Sequence, residues 1–336
     1  MTRIQVVIAT PALADANNGN WQTARRWQAL LSRRHDARIV REWPDEKARI
    51  HPAHDQVLLA LHARRSAPSV AAWAEQRASR GLGVVLTGTD LYRDIASDPS
   101  ARHSLALARA LVVLQERAID SVPAAHQAKA RVIFQSTGTR QTLAKTHRHL
   151  RVVAVGHLRD EKDPLTLMRA AEALRGENGI FIDHLGAALD PALGDAARRT
   201  EASGAPYRWL GARAHSDALR RIQRAHLLVH MSRMEGGAHV VMEAVCSGTP
   251  VIASRIDGNV GMLGADYAGY FAPGDPQALA ALLRRCRDDL TGPGEKAGSD
   301  IGLMATLASQ CAARAELFSP QREQAALEQL VMDLAS

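Results

Sequence analysis

The sequence predicts an α/β protein made of two doubly wound parallel-sheet, Rossmann-like domains. Three observations predict it. The chain has 336 residues, room for two domains of ordinary size with a core each. Short apolar runs alternate with helix-like segments along the whole length, the pattern of βα units. Those runs also fall into two sets of six. The first set covers residues 4–9, 37–40, 56–61, 83–86, 111–114 and 131–134. The second covers 151–155, 180–185, 207–210, 227–230, 250–253 and 270–271.

The elements follow in order. The run Ile4-Gln5-Val6-Val7-Ile8-Ala9 reads as a strand from the outset, so no signal peptide is expected. The next helix carries Trp21, Ala24, Trp27, Leu30 and Leu31 on one side. Arg25, Arg26 and Arg33 on its other side read as a solvated face rather than a membrane-surface one. Residues 136–149 are polar and basic and fit a linker, and Thr291-Gly292-Pro293-Gly294 is another break. Residues 323–334 have helical spacing. The expected domains are 1–147 and 148–312, with a helical segment at 313–336.

Composition narrows the function classes. Hydrophobic content is 46% and charged content 23%, which is globular. No apolar stretch reaches the length of a membrane span. Cys246, Cys286 and Cys311 are scattered without a CxxC and read as reduced thiols of a cytoplasmic protein. The histidines lack metal-ligand spacing. The net charge of +7 raises nucleic acid as a partner, but it is spread along the chain with no aromatic-studded basic run. A basic balance also suits nucleotide-sugars and phosphates. No GxGxxG follows the first strand, which argues against a nicotinamide dehydrogenase.

In such sheets ligands bind beyond the C-terminal ends of the strands, so the loops there carry the chemistry. Ser232-Arg233-Met234-Glu235-Gly236-Gly237-Ala238 follows one strand and precedes a helix holding Glu243. Glu235 and Glu243 stand eight positions apart, roughly 12 Å if the stretch is fully helical. The amides of Gly236, Gly237 and Ala238 suit a phosphate or a sugar hydroxyl. Glu243 suits ribose hydroxyls and Glu235 those of a second sugar. Spacing alone equally fits two solvated carboxylates around an ordinary turn. Gly156-His157-Leu158-Arg159-Asp160-Glu161-Lys162-Asp163-Pro164 places Arg159 and Lys162 where positive charge stabilises a diphosphate leaving group. In the first half, Gly19 and Asn20 open a helix after Asn17-Asn18, either a donor-phosphate contact or a plain turn. His62-Ala63-Arg64-Arg65-Ser66 and Thr87-Gly88-Thr89-Asp90-Leu91-Tyr92-Arg93-Asp94 follow neighbouring strands. Their arginine forks match an anionic acceptor; the alternative is a capped turn with Asp90 as the cap.

Glu-x7-Glu with a Gly-rich start and Gly248-Thr249-Pro250-Val251 at its end resembles the retaining glycosyltransferases of family four. That resemblance implies the GT-B fold: two Rossmann-like domains facing across a cleft, with a last helix crossing back to the first domain. In the wider family the pattern is Gly-Arg-Leu with a later Glu-Lys-Gly. Here His157 replaces the Arg and Asp163 the Gly; Lys162 carries over, and Arg159 is the natural substitute for the missing Arg. Within the family, residues 18–20, 60–66, 86–94, 156–159, 161–164, 184–186, 189–190, 207–211, 232–238, 258–264 and 269–271 resemble one subgroup, the selenosugar synthases of selenoneine biosynthesis.

The subgroup resemblance implies transfer of a sugar, N-acetylglucosamine, from a UDP-sugar to selenophosphate, with release of UDP and phosphate. It implies no metal and no cofactor, the charge work falling to cationic side chains and helix N-termini. Loops and resemblance together assign catalytic roles to Lys162, Arg159, Glu235 and His62. They assign donor binding to Gly19, Asn20, His157, Gly236, Gly237, Ala238 and Glu243, and acceptor binding to Arg64, Arg65, Thr87, Thr89, Asp90 and Arg93. Domain closure is expected to exclude water from the donor. The rival expectations are a family-four transferase with a hydroxyl acceptor and a non-catalytic nucleotide-sugar-binding protein.

Overall fold

The structure is a computed structural model that describes residues 3–11, 13, 19–45, 51–292 and 302–336. Asn17, Asn18, Pro293 and Gly294, named above, lie outside the described residues. The chain divides into two compact units. The first comprises Met1–Ser136, Glu235–Gly237 and Ser319–Ser336; the second comprises Thr137–Met234 and Ala238–Phe318.

The strands of the first unit are β1 (Gln5–Ala9), β2 (Asp36–Val40), β3 (Val57–Leu61), β4 (Leu82–Val85), β5 (Ala110–Val113) and β6 (Ala130–Val132). They form one parallel sheet in the order β2-β1-β3-β4-β5-β6. The unbroken apolar run of β3 has a simple cause: both faces of a parallel sheet are covered. Side chains alternate across the sheet. Leu58 and Ala60 join Val7 and Ala9 in one core, with Trp73 of helix Ala67–Arg77 and Leu105 of helix Pro99–Leu107. Leu59 and Leu61 join Val6 and Ile8 in the other, with Trp27 of helix Gly19–Leu31.

That second core is completed by helix Pro320–Ala335, through Leu327, Leu330, Val331 and Leu334. Each such burial contributes on the order of 2 kcal/mol. The same helix carries Glu323, which is 1% exposed. Its carboxylate accepts from Arg26 Nε at 2.9 Å, Trp27 Nε1 at 2.7 Å and Ser136 N at 2.9 Å, and from the Ser136 hydroxyl. A charge so buried persists only because its lone pairs are filled by donors.

The second unit has β7 (Leu150–Val155), β8 (Ile180–Leu185), β9 (Tyr207–Trp209), β10 (Leu227–His230), β11 (Val251–Ser254) and β12 (Tyr270–Phe271). They form a second parallel sheet, in the order β12-β11-β10-β7-β8-β9. Among the described residues the twelve strands lie where the apolar runs predict, with ends shifted by at most two residues. The unit boundary falls at Ser136–Thr137, earlier than the expected 147–148. The basic stretch after it is fastened to the second unit: Arg140 N donates to Cys246 O at 2.9 Å and Gln223 Nε2 to Gln141 O at 2.6 Å. The return to the first unit comes at Ser319 rather than at residue 313.

Cys246, Cys286 and Cys311 are free and buried, and burial pushes the thiols of Cys246 and Cys286 up to about 11 and about 12. Among the described residues no helix is long and apolar enough to cross a membrane.

The Glu323 cluster makes a quantitative expectation. Glu323→Ala strips the acceptor from Trp27, Arg26 and Ser136 and lowers stability by about 3 kcal/mol. Urea titration followed by tryptophan fluorescence reads this as an earlier first transition. Glu323→Gln, which keeps an acceptor without the charge, falls between the two.

Candidate functional site

Beside β7 the second sheet changes its direction of winding. The chain runs outward from β7 to β8 and β9, then returns on the other side with β10, β11 and β12. β7 and β10 are neighbours, so the loops from their C-terminal ends part and leave a crevice, the usual ligand position in such sheets. In the first sheet the same reversal separates β1 from β3. The residues singled out in the sequence lie on the loops and helices that follow β1, β3, β4, β7 and β10.

After β7, Asp160–Lys162 form a short 3-10 turn that ends at Asp163, with φ +46° and ψ 50°. This left-handed conformation is the natural place for glycine, and aspartate tolerates it better than most residues. Here Asp163 also uses its side chain. Buried, it accepts from Thr166 Oγ1 at 2.7 Å and from an Arg233 guanidinium nitrogen at 3.1 Å. Arg233 reaches Asp160 as well, at 3.2 Å, and its backbone N–H donates to Glu161 O at 2.9 Å. Arg233 stands in the loop after β10. It therefore braces the two loops that border the crevice, a role that sequence spacing did not reveal.

The cationic set sits on the braced loop. A Cβ added at Gly156 would lie 3.7 Å from Lys162 Cδ, so the lysine stem runs along the start of the loop. Arg159 is exposed, with its Nε 4.0 Å from Glu161. His157 accepts from Ala187 N through Nδ1 at 3.1 Å, which assigns its proton to Nε2. Burial, then the charges of Arg159 and Lys162, hold its pKa below the ordinary imidazole value. His157 is thus a neutral N–H donor at pH 7.

Glu243 is 6% exposed on the short helix His239–Val245. The helix does not extend back to Glu235, so the axial separation of a continuous helix does not apply. His215 Nε2 lies 2.7 Å from Glu243 Oε1. This bond raises the His215 pKa above its ordinary value, against burial and the charge of Arg140. His215 is the second residue missed in the sequence; it lies 28 positions away on another helix. The Ala238 amide donates to Met262 Sδ at 3.2 Å. Within the first unit, a Cβ on Gly236 would meet the Thr87 carbonyl carbon at 2.5 Å and one on Gly237 would meet Leu114 Cβ at 2.9 Å. These glycines are required by close approach. Glu235, half-buried, belongs to the same segment.

In the first unit, His62 follows β3 with φ +75°. Such a conformation costs a residue with a Cβ about 1 kcal/mol and clusters at functional sites. Its ring is buried, with Nδ1 accepting from Arg65 N at 3.3 Å and Nε2 3.1 Å from Thr89 Oγ1. Burial is the main cause lowering its pKa. Asp90 is fully buried: one oxygen accepts from Thr87 N and Gly88 N, the other from Ala63 N, each at 2.9 Å. Its oxygens are held by backbone amides, and it joins the loops after β3 and β4. Asp94, not singled out in the sequence, accepts from Arg64 Nε at 2.8 Å and Arg93 Nε at 3.3 Å. Arg64 also lies 3.9 Å from Asp98. Arg65 is exposed, and Thr87 and Thr89 are half-buried. Gly19 and Asn20 open helix Gly19–Leu31. A Cβ at Gly19 would meet nothing within 4 Å, so space does not demand glycine there.

Residues 136–290 match the family model described as glycosyl transferases group 1. The chain is also similar to solved structures. With sucrose-phosphate synthase from Thermosynechococcus elongatus it shares 15% identity over 99% of each chain, with a TM-score of 0.74. With HepE of Anabaena in complex with UDP-glucose it shares 15% identity over 98% of this chain and 100% of the other, with a TM-score of 0.74. With a glycosyltransferase from Rickettsia africae it shares 12% identity over 99% of each chain, with a TM-score of 0.71. The fold is that of the GT-B glycosyltransferases. Among the described residues no group of three or more His, Cys, Asp or Glu is placed to hold a metal ion.

Two outcomes follow from this geometry. Asp163→Ala combines left-handed strain with loss of the Arg233 pair and lowers stability by about 3 kcal/mol. Asp163→Gly relieves the strain and recovers about 1 kcal/mol of it; urea unfolding of the pair separates the two contributions. For His215 the folded pKa lies above the unfolded 6.5. Its stabilising contribution is full below pH 6.5 and fades as pH rises through the folded pKa. His215→Gln is therefore expected to cost more stability at pH 6 than at pH 9, and the wild-type ring proton titrates above 6.5 by NMR.

Proposed function

We propose that this chain is a glycosyltransferase that moves a sugar, N-acetylglucosamine, from a UDP-sugar to selenophosphate, forming a carbon–selenium bond. The observation that carries the donor half is the braced crevice beside β7. Arg233 fixes the loop that presents Lys162, Arg159 and the neutral Nε2–H of His157. Such a set suits a diphosphate, whose charge grows as the glycosidic bond breaks. The match of residues 136–290 to group 1 glycosyl transferases supports this reading, as does the UDP-glucose held by HepE. Glu243, steadied by His215, takes the ribose hydroxyls, and Glu235 the hydroxyls of the transferred sugar.

Support for the acceptor half comes from the first unit. Asp94 holds the Nε–H of Arg64 and of Arg93. The other guanidinium N–H groups of Arg64, with exposed Arg65, suit a small oxyanion. The likeness of residues 60–66 and 86–94 to selenosugar synthases supports selenophosphate as that oxyanion. In the reaction the anomeric C–O bond breaks and its electron pair leaves on the β-phosphate of UDP. A selenium lone pair forms the C–Se bond. Water then cleaves Se–P, giving phosphate and the selenosugar. The selenium is already ionised, so the step needs no strong general base, in keeping with a His62 that burial keeps neutral. His62 instead orients the acceptor through Thr89.

One observation favours a second acceptor class. Asp94 and Asp98 offset much of the charge of the arginines, which also suits a neutral hydroxyl acceptor. The deciding experiment measures UDP release from UDP-N-acetylglucosamine with and without fresh selenophosphate, under anaerobic conditions, with product mass. Selenophosphate-dependent release with a selenium isotope pattern supports the proposal. Turnover only on a hydroxyl acceptor transfers it to the second class. Donor binding with neither transfer nor slow hydrolysis would leave a binding protein. Under the proposal, Lys162→Ala lowers kcat/KM by about 100-fold or more, with a smaller change in the dissociation constant of UDP.

A further inference from the structure

Away from the crevice, the N-terminal end of one sheet face in the second unit is open, while Val153 and Leu185 further along that face are buried. Arg151 of β7 pairs in register with Phe181 of β8, and Asp183 of β8 with Arg208 of β9, so these side chains share a face. Parallel sheets ordinarily cover both faces, yet Phe181 is 56% exposed. Helix His215–Arg224 borders the open end with Asp217, Arg220, Arg221 and Arg224, one charged stripe at helical spacing. Strand face and helix enclose a groove of about 710 Å³.

Its charge is lopsided. Asp183 takes Arg208 at 2.8 Å and Arg221 at 3.3 Å, while Asp217 takes Arg221 at 3.1 Å and stands 3.6 Å from Arg220. Both carboxylates are thereby used. Arg151 donates through Nε to His149 Nε2 at 2.9 Å, and exposed Arg224 adds a further cation. Phe181 lies at the foot of this rim with the His149 ring edge-on at 5.1 Å. An exposed aromatic face among guanidinium groups matches a planar ring that carries phosphate. The concavity and volume are those of a small-molecule site.

We infer that this groove is a second binding site, for a nucleoside phosphate, with the ring against Phe181 and the phosphates on Arg151, Arg220 and Arg224. It is separate from the crevice. Arg151 is the second residue of β7, and the crevice loop leaves after Val155, roughly 13 Å further along the strand.

The test uses the full chain, with ATP as the probe, by isothermal titration in the presence of saturating UDP. Binding of ATP under these conditions is expected, weakened about tenfold or more by either Arg224→Ser or Phe181→Ser. Unchanged UDP affinity in both variants confirms that they fold. Inorganic tripolyphosphate is expected to bind more weakly than ATP and to be indifferent to Phe181→Ser. Absence of ATP binding, its displacement by UDP, variants that bind as wild type, or tripolyphosphate that binds as well as ATP would each overturn the inference. A chain that takes ATP but not UDP would sink the donor reading above and leave this one standing.

Discussion

At β7 the outgoing and returning halves of the second sheet part, and the two loops released there are joined by Arg233. Its guanidinium bonds Asp160 and Asp163, and its amide meets Glu161. The geometry of Lys162, Arg159 and His157 depends on this brace, because all three lie on the seven-residue stretch that it pins. The brace in turn depends on one backbone choice. Asp163 adopts a left-handed conformation that turns the chain into helix Pro164–Ala173. A glycine there makes the turn but offers no carboxylate. An alanine offers neither ease nor charge.

The first unit solves a similar problem with buried carboxylates. Asp90 ties two loops through three amides, and Asp94 gathers Arg64 and Arg93. His62 is held between them in a conformation that strands avoid. The polar groups of this cluster therefore divide into those that shape the loops and those that face outward. Their residue types alone do not separate the two.

That division marks how far the sequence could be read. The strands were legible because burial on both faces leaves an unbroken apolar signature, as in Val57–Leu61. The loops were legible because topology places chemistry at strand ends, and His157, Arg159 and Lys162 lie there. Partnerships across distant positions were not. His215 meets Glu243 from another helix, and Arg233 reads as a loop charge until the Asp163 φ is known. That Asp90 accepts three backbone amides was not legible either, because a carboxylate that does so and one that faces a ligand look alike in sequence. The boundary at Ser136 was hidden for the opposite reason: a polar, basic stretch without secondary structure still makes specific bonds.

Glu323 and the apolar face of its helix have a consequence for synthesis. Trp27 waits for a partner 296 positions further along the chain. Until Leu327, Leu330, Val331 and Leu334 leave the ribosome, one side of the first sheet is covered only in part, by helix Gly19–Leu31. Synthesis is vectorial, and the second unit, all of whose sheet precedes that helix, emerges whole while the first still lacks part of a wall. The half of the protein made first is thus the half that finishes last. Nascent chains stalled before residue 320 would expose part of an apolar sheet face to chaperones.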